Sequence, residues 1–130
     1  MKSINDQEFV AVSRLPPEDR YGYFIRTVVD WERLWCLGND VGSVLYGDDH
    51  GGEYLPVWCH PRYARACAFE SWASSAPKEI SLDEFLREWI PDLERTGRST
   101  VVFPTSEQKG LIVPPINLRN DLADEARQYE

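Results

Sequence analysis

Five stretches of this chain carry apolar residues at helical spacing, and the segments between them carry short apolar runs bounded by Gly, Asn, Asp and Pro. Ser3 is expected to cap a short first helix with Ile4, Phe9 and Val12 on one face, ending before Pro16, because the residue preceding a proline is driven out of the helical region. Pro17 suits the first turn of a second helix, with Glu18 and Asp19 near its positive end and Tyr21, Phe24, Ile25 and Val28 as one buried stripe.

From Trp31 the period changes. Leu34 to Leu37 and Val41 to Tyr46 read as strands joined across Gly38-Asn39-Asp40, and the turn Gly47 to Gly52 leads into a third strand from Glu53 to Cys59. The expected arrangement is a three-stranded antiparallel meander. In the third strand Leu55, Val57 and Cys59 face one way and Tyr54, Pro56 and Trp58 the other, so both faces need cover. Pro56 lacks a donor and predicts an edge position or a bulge. His60-Pro61 opens a helix expected to run to about Trp72 with Tyr63, Cys67 and Phe69 turned inward, followed by a small-residue connection from Ser74 to Lys78.

Ser81 with Glu84 forms a capping box in front of Leu82, Phe85, Leu86, Trp89 and Leu93, one helical face; Pro91 predicts a kink or restart, and Gly97 an end. Thr100 to Phe103 and Leu111 to Val113 read as a strand pair. After Pro114-Pro115, Asn117 is expected to cap a last helix in which Leu118, Leu122, Ala126 and Tyr129 align. The sequence therefore predicts a single α+β domain over residues 1–130, with a mainly antiparallel or mixed sheet of about five strands, helices on its faces, two N-terminal helices and a C-terminal helix.

Composition narrows the function classes. Hydrophobic residues make up 42% and charged residues 28% of the 130, a globular balance, and no apolar run approaches the length of a membrane span. Ser3, Ile4, Asn5 and Asp6 follow Lys2 directly, so no secretory leader is expected and the cytoplasm is the expected compartment. Cys36, Cys59 and Cys67 are an odd set without a CxxC pair, expected to be reduced and packed. A net charge of -8 repels phosphate backbones and anionic membrane surfaces and favours a basic protein partner, so neither nucleic acid nor membrane is an expected partner.

Candidate chemistry is sparse. Cys59-His60 with Cys67 and His50 has the residue types of a zinc site, but neighbours on a strand point to opposite faces and the ligand spacings are missing. The same separation works against a Cys/His nucleophile pair. Asp48, Asp49, His50 and Glu53 crowd one turn that could bind a hard cation or share a proton, yet they lack the spacing of a calcium loop, and Gly and Asp are ordinary turn residues. No GxGxxG, P-loop or GxSxG pattern occurs. No catalytic residue, metal or cofactor is assigned. Five tryptophans are many for this length; core packing is the default, and Trp31 and Trp72, at element ends, are the two expected to be partly exposed as binding anchors. The candidate binding residues are thus Trp31, Asp48, Asp49, His50, Glu53 and Trp72. They fit a non-enzymatic, regulatory or immunity-type protein-binding module; the alternative is a small-molecule or metal-dependent enzyme centred on the acidic turn and the nearby Cys and His.

Several segments also resemble a known family. Val29 to Trp35, Leu55-Pro56-Val57-Trp58-Cys59-His60-Pro61, Ser81 to Leu86, and Val102-Phe103-Pro104 with Gly110 to Val113 resemble the bacterial domain of unknown function 2750. The order of strand, Leu-Pro-Val, helix, Leu-rich segment and second hairpin is also similar to the N-terminal domain of SseB-like bacterial proteins. The first resemblance implies a small bacterial, cytoplasmic, single-domain protein, and brings no catalytic or ligand residues with it.

Overall fold

The computed structural model describes residues 3–39, 42–47 and 51–128. Helix α1 spans Asp6–Ser13 and is capped by Asn5, whose side chain accepts from the Glu8 N–H at 2.8 Å. The expected cap, Ser3, lies outside the helix, and Ile4 reaches the core from the segment before it. Helix α2, Pro17–Trp31, has Pro17 in its first turn and buries Phe24, Ile25 and Val28 as predicted, whereas Tyr21 is only half-buried and Val29 is buried in addition; Glu32, left-handed at φ 57°, ends it. Strands β1 (Arg33–Gly38), β2 (Tyr46–Gly47) and β3 (Glu53–Val57) follow, then the short helix α3 (Pro61–Arg65).

The expected helix to Trp72 stops at Arg65. A 3-10 turn at Glu70–Trp72 follows, and then a strand, β4 (Ala76–Ser81), where a loose connection was expected. Ser81 caps the next helical run as predicted, accepting from the Glu84 N–H at 3.1 Å. This run, α4, consists of Leu82–Glu84, a π-helical turn at Phe85–Trp89, and Ile90–Thr96. Pro91 cannot donate to the carbonyl four residues back, and the widened turn lies immediately before it, with the Ile90 N–H bonded to the Phe85 carbonyl. Gly97, left-handed at φ 70°, closes the run. Strands β5 (Ser99–Val102) and β6 (Leu111–Val113) lead to helix α5 (Pro115–Arg127), which starts at Pro115 rather than at Asn117 and buries Leu118 and Leu122. Tyr129 lies outside the described residues.

The α+β class holds, but the predicted meander does not form. The β1 strand pairs antiparallel with β4, from Arg33↔Ser81 to Gly38↔Ala76. The other sheet has the order β2-β3-β5-β6, with β3 and β5 parallel and the remaining pairs antiparallel. The two sheets are spliced where Trp35 and Trp58 exchange both main-chain hydrogen bonds, each 2.8 Å.

This splice explains Pro56, which sits inside the sheet rather than at its edge. The Val57 carbonyl accepts from Phe103 on the β5 side, while Trp58 bonds Trp35 on the opposite side. Alternation therefore turns the Pro56 nitrogen to the side of Trp58, and there β2 pairs only with Glu53 and Tyr54. Its missing donor falls in the gap between β2 and the splice. Both faces of β3 are covered, as predicted: Leu55, Pro56, Val57, Trp58 and Cys59 are all buried.

Candidate functional site

Arg20 stands one turn before Phe24 on the inward stripe of α2, so the helix drives a guanidinium into the core; the residue is fully buried. Its Nε donates to the Phe103 carbonyl at 3.1 Å, Nη1 to the Leu15 carbonyl and the Gln108 side-chain oxygen at 2.6 Å each, and Nη2 to the Lys109 carbonyl at 3.2 Å. Every acceptor is neutral. Burial lowers the Arg20 pKa from its ordinary value, and the nearby Cys67 and Glu18 partly oppose that shift.

These bonds clamp the loop from Phe103 to Gly110 against α2. Phe103 adopts a left-handed φ of 58°, and its ring packs against Tyr63 at 4.7 Å and Tyr23 at 6.3 Å. Within the loop, Thr105 Oγ1 accepts from the N–H groups of Glu107 and Gln108, and the Thr105 N–H donates to the Gln108 carbonyl at 2.9 Å. The Pro104 carbonyl, buried beneath, accepts from the Trp58 indole N–H at 2.8 Å and from the Cys67 thiol at 3.3 Å.

Held this way, Pro104 to Glu107 form a ridge between two depressions. One, about 180 Å³, has Phe9, Tyr63 and Phe103 as its floor and the exposed Val10 at its rim. The other, about 290 Å³, lies among Tyr46, Cys67, Phe69, Trp72, Gln108 and Lys109. Trp72 is half-buried and meets the Tyr46 ring edge-on at 6.1 Å; its carbonyl is anchored by Ser75 Oγ at 2.6 Å. Phe69 was expected to face inward, but α3 ends before it, so it leaves the helical stripe and is 44% exposed.

The other predicted residues do not join this groove. Trp31 is half-buried at the end of α2 and lines a separate cleft of about 310 Å³ with Glu8, Tyr23, Arg26, Asp30 and His60. Glu53 is exposed and accepts from Arg98 Nε at 3.2 Å and Nη2 at 3.1 Å. Asp48, Asp49 and His50 lie outside the described residues. Among the described residues no group of three or more His, Cys, Asp and Glu is placed to hold a metal ion.

The thiols are sealed. Burial raises the Cys36 and Cys59 pKa values, and pushes Cys67 up to about 11 against the opposing pull of Trp58 and Arg20. The His60 ring accepts the Arg62 N–H on Nδ1 at 3.1 Å and caps α3, a use that adjacency to Cys59 did not suggest. Arg20, Tyr46 and the ridge are not among the residues that the sequence marks as candidates. The one available signal was the spacing of Arg20, Phe24 and Val28, which places a charge on an apolar stripe.

The fold and groove define a single α+β domain with an aromatic-walled depression beside a clamped hairpin loop. The family model described as "Protein of unknown function (DUF2750)" matches residues 21–122 of the 130, and the chain belongs to that family. No curated protein and no solved structure matches it. Among the described residues, no helix is long and apolar enough to cross a membrane.

Proposed function

We propose that this chain is a non-enzymatic protein-binding module of the bacterial cytoplasm, regulatory or immunity-type, which docks a basic protein partner at the Trp72 groove. The observation that carries this reading is Phe69, a large apolar side chain 44% exposed beside the half-buried Trp72 and Tyr46. Aromatic anchors set in a depression with a polar rim are the pattern of interface hot spots. The net charge of -8 would speed encounter with a cationic partner, and that contribution would weaken as salt rises. The enzymatic alternative keeps Asp48, Asp49, His50 and Glu53 as its centre. Thiols held protonated in the core add no nucleophile to it.

The test is affinity capture from the native cells with the tagged protein, alongside Phe69→Ser and Trp72→Ala variants shown by circular dichroism to be folded. The expected result is a basic protein retained by the parent, lost by both variants and released by moderate salt. Retention of nothing specific, or equal retention by the variants, rejects the reading.

A further inference from the structure

Arg20 is a fully buried cation whose guanidinium meets three main-chain carbonyls and one amide oxygen, and no carboxylate lies within ion-pair distance of it among the described residues. Buried charges are ordinarily paired, because neutral dipoles replace only part of the lost hydration. Its one side-chain partner among the described residues is the exposed Gln108, and Gln108 and Lys109 both line the Trp72 groove. The Gln108 main chain is pinned to Thr105, so its side chain alone can swing away while the ridge stays in place. The amide oxygen of Gln108 thus occupies, 2.6 Å from Nη1, a position that a carboxylate oxygen would fill more favourably.

The geometry points to a carboxylate-binding site: the groove takes a small organic carboxylate with an apolar body, which displaces Gln108 from the Arg20 guanidinium and rests its body against Trp72 and Phe69. A volume of about 290 Å³ is at the lower edge of the roughly 300–1,000 Å³ of small-molecule sites. Lys109 adds a second cation at the rim. Glu70 and Glu107 also line the groove, and these exposed carboxylates favour a ligand with a single negative charge over a dianion. The same groove serves the protein-binding reading, but a carboxylate needs no protein partner to bind there, so purified protein and defined probes test its binding independently.

The experiment titrates the purified full chain with phenylacetate and, as the neutral isostere, phenylacetamide. Binding is followed by calorimetry and by the NMR signals of the Arg20 Nε–H and the Trp72 indole N–H. Phenylacetate is expected to bind saturably and to shift both signals, with the amide about tenfold weaker for want of a charge-assisted bond. Gln108→Ala, which removes the competing amide oxygen from Nη1, should bind more tightly. Gln108→Glu places an internal carboxylate on Arg20, so it should abolish binding and raise the urea midpoint. Equal binding of the amide, undiminished binding by Gln108→Glu, or no binding of phenylacetate by folded Gln108→Ala each overturns the assignment.

Discussion

Arg20 and Phe103 hold one another twice: Nε donates to the Phe103 carbonyl at 3.1 Å, and the guanidinium carbon stands 5.9 Å from the centre of the Phe103 ring. The contact joins α2 to the end of β5 across 83 residues of chain. It fixes the ridge that borders both depressions, and it holds Phe103 in a left-handed conformation that β-carbon-bearing residues seldom adopt.

Arg20→Met should destabilise the fold by about 3 kcal/mol, because the carbonyls of Leu15, Phe103 and Lys109 each lose a donor while relief from burying a charge offsets part of the loss. Arg20→Lys should lose nearly as much, since an ammonium on a single stem cannot span the fork of acceptors. Urea unfolding of both variants checks this. A loss below about 1 kcal/mol, the ordinary scale of one net hydrogen bond, would mean that the clamp is dispensable.

Gly110→Ala should cost about 2 kcal/mol or more. An added Cβ would stand 2.3 Å from the Val102 carbonyl oxygen and 2.8 Å from the Pro104 nitrogen, both main-chain atoms that cannot turn aside. At Gly97 the added atom meets open space and only the left-handed φ of 70° resists it, so Gly97→Ala should cost about 1 kcal/mol. Melting temperatures of the two variants should therefore fall in that order, Gly110→Ala lower.

Stability should decline as pH rises above about 9. Burial lifts Cys67 from the ordinary 9.0 to about 11 and Tyr23 from 10.0 to about 12, and it raises Cys59 and Tyr63 in the same direction. The folded protein keeps these protons while the unfolded chain gives them up. Their contribution is thus fully present below the unfolded values and is lost as pH climbs through the folded ones. Urea midpoints measured from pH 7 to 11 should fall across the alkaline limb. In native protein at pH 8, Cys59 and Cys67 should resist a thiol reagent that labels both at once in urea.

Ser81→Ala should remove about 1 kcal/mol by uncapping α4, where Ser81 Oγ accepts the Glu84 N–H at 3.1 Å. The expected box is only half used. The Glu84 carboxylate takes the Trp89 indole N–H at 2.9 Å, and it can do so because the π-helical turn sets these residues five apart on one face. Glu84→Gln should consequently shift the Trp89 indole signal in an NMR spectrum while leaving the helix capped.

Legibility divides along local and non-local lines. The Pro17 start, the Ser81 cap, the irregularity near Pro91 and the stop at Gly97 are each decided by a few adjacent residues and are legible in the sequence. The β4 strand was not. Ala76-Pro77-Lys78-Glu79 carries polar residues because it forms the outer edge of its sheet, mostly exposed, so no apolar run marks it. Phe69 leaves the helical stripe because α3 ends at Arg65, and no Gly or Pro in Ala66-Cys67-Ala68 marks that end in the sequence. In the groove, Trp72 was singled out as partly exposed, whereas the roles of Arg20, Gln108 and Tyr46 are set by contacts across tens of residues.

Hydrophobic period, prolines and capping residues sufficed to determine the α+β class, the stripe of α2 and the two covered faces of β3, since each follows from forces acting within a turn or between neighbouring residues. The parallel pairing of β3 with β5, the splice of Trp35 to Trp58 and the buried guanidinium behind Gln108 were decided by the tertiary structure alone. Register and burial of this kind are settled by which surfaces close over one another, and a buried arginine is spelled no differently from an exposed one.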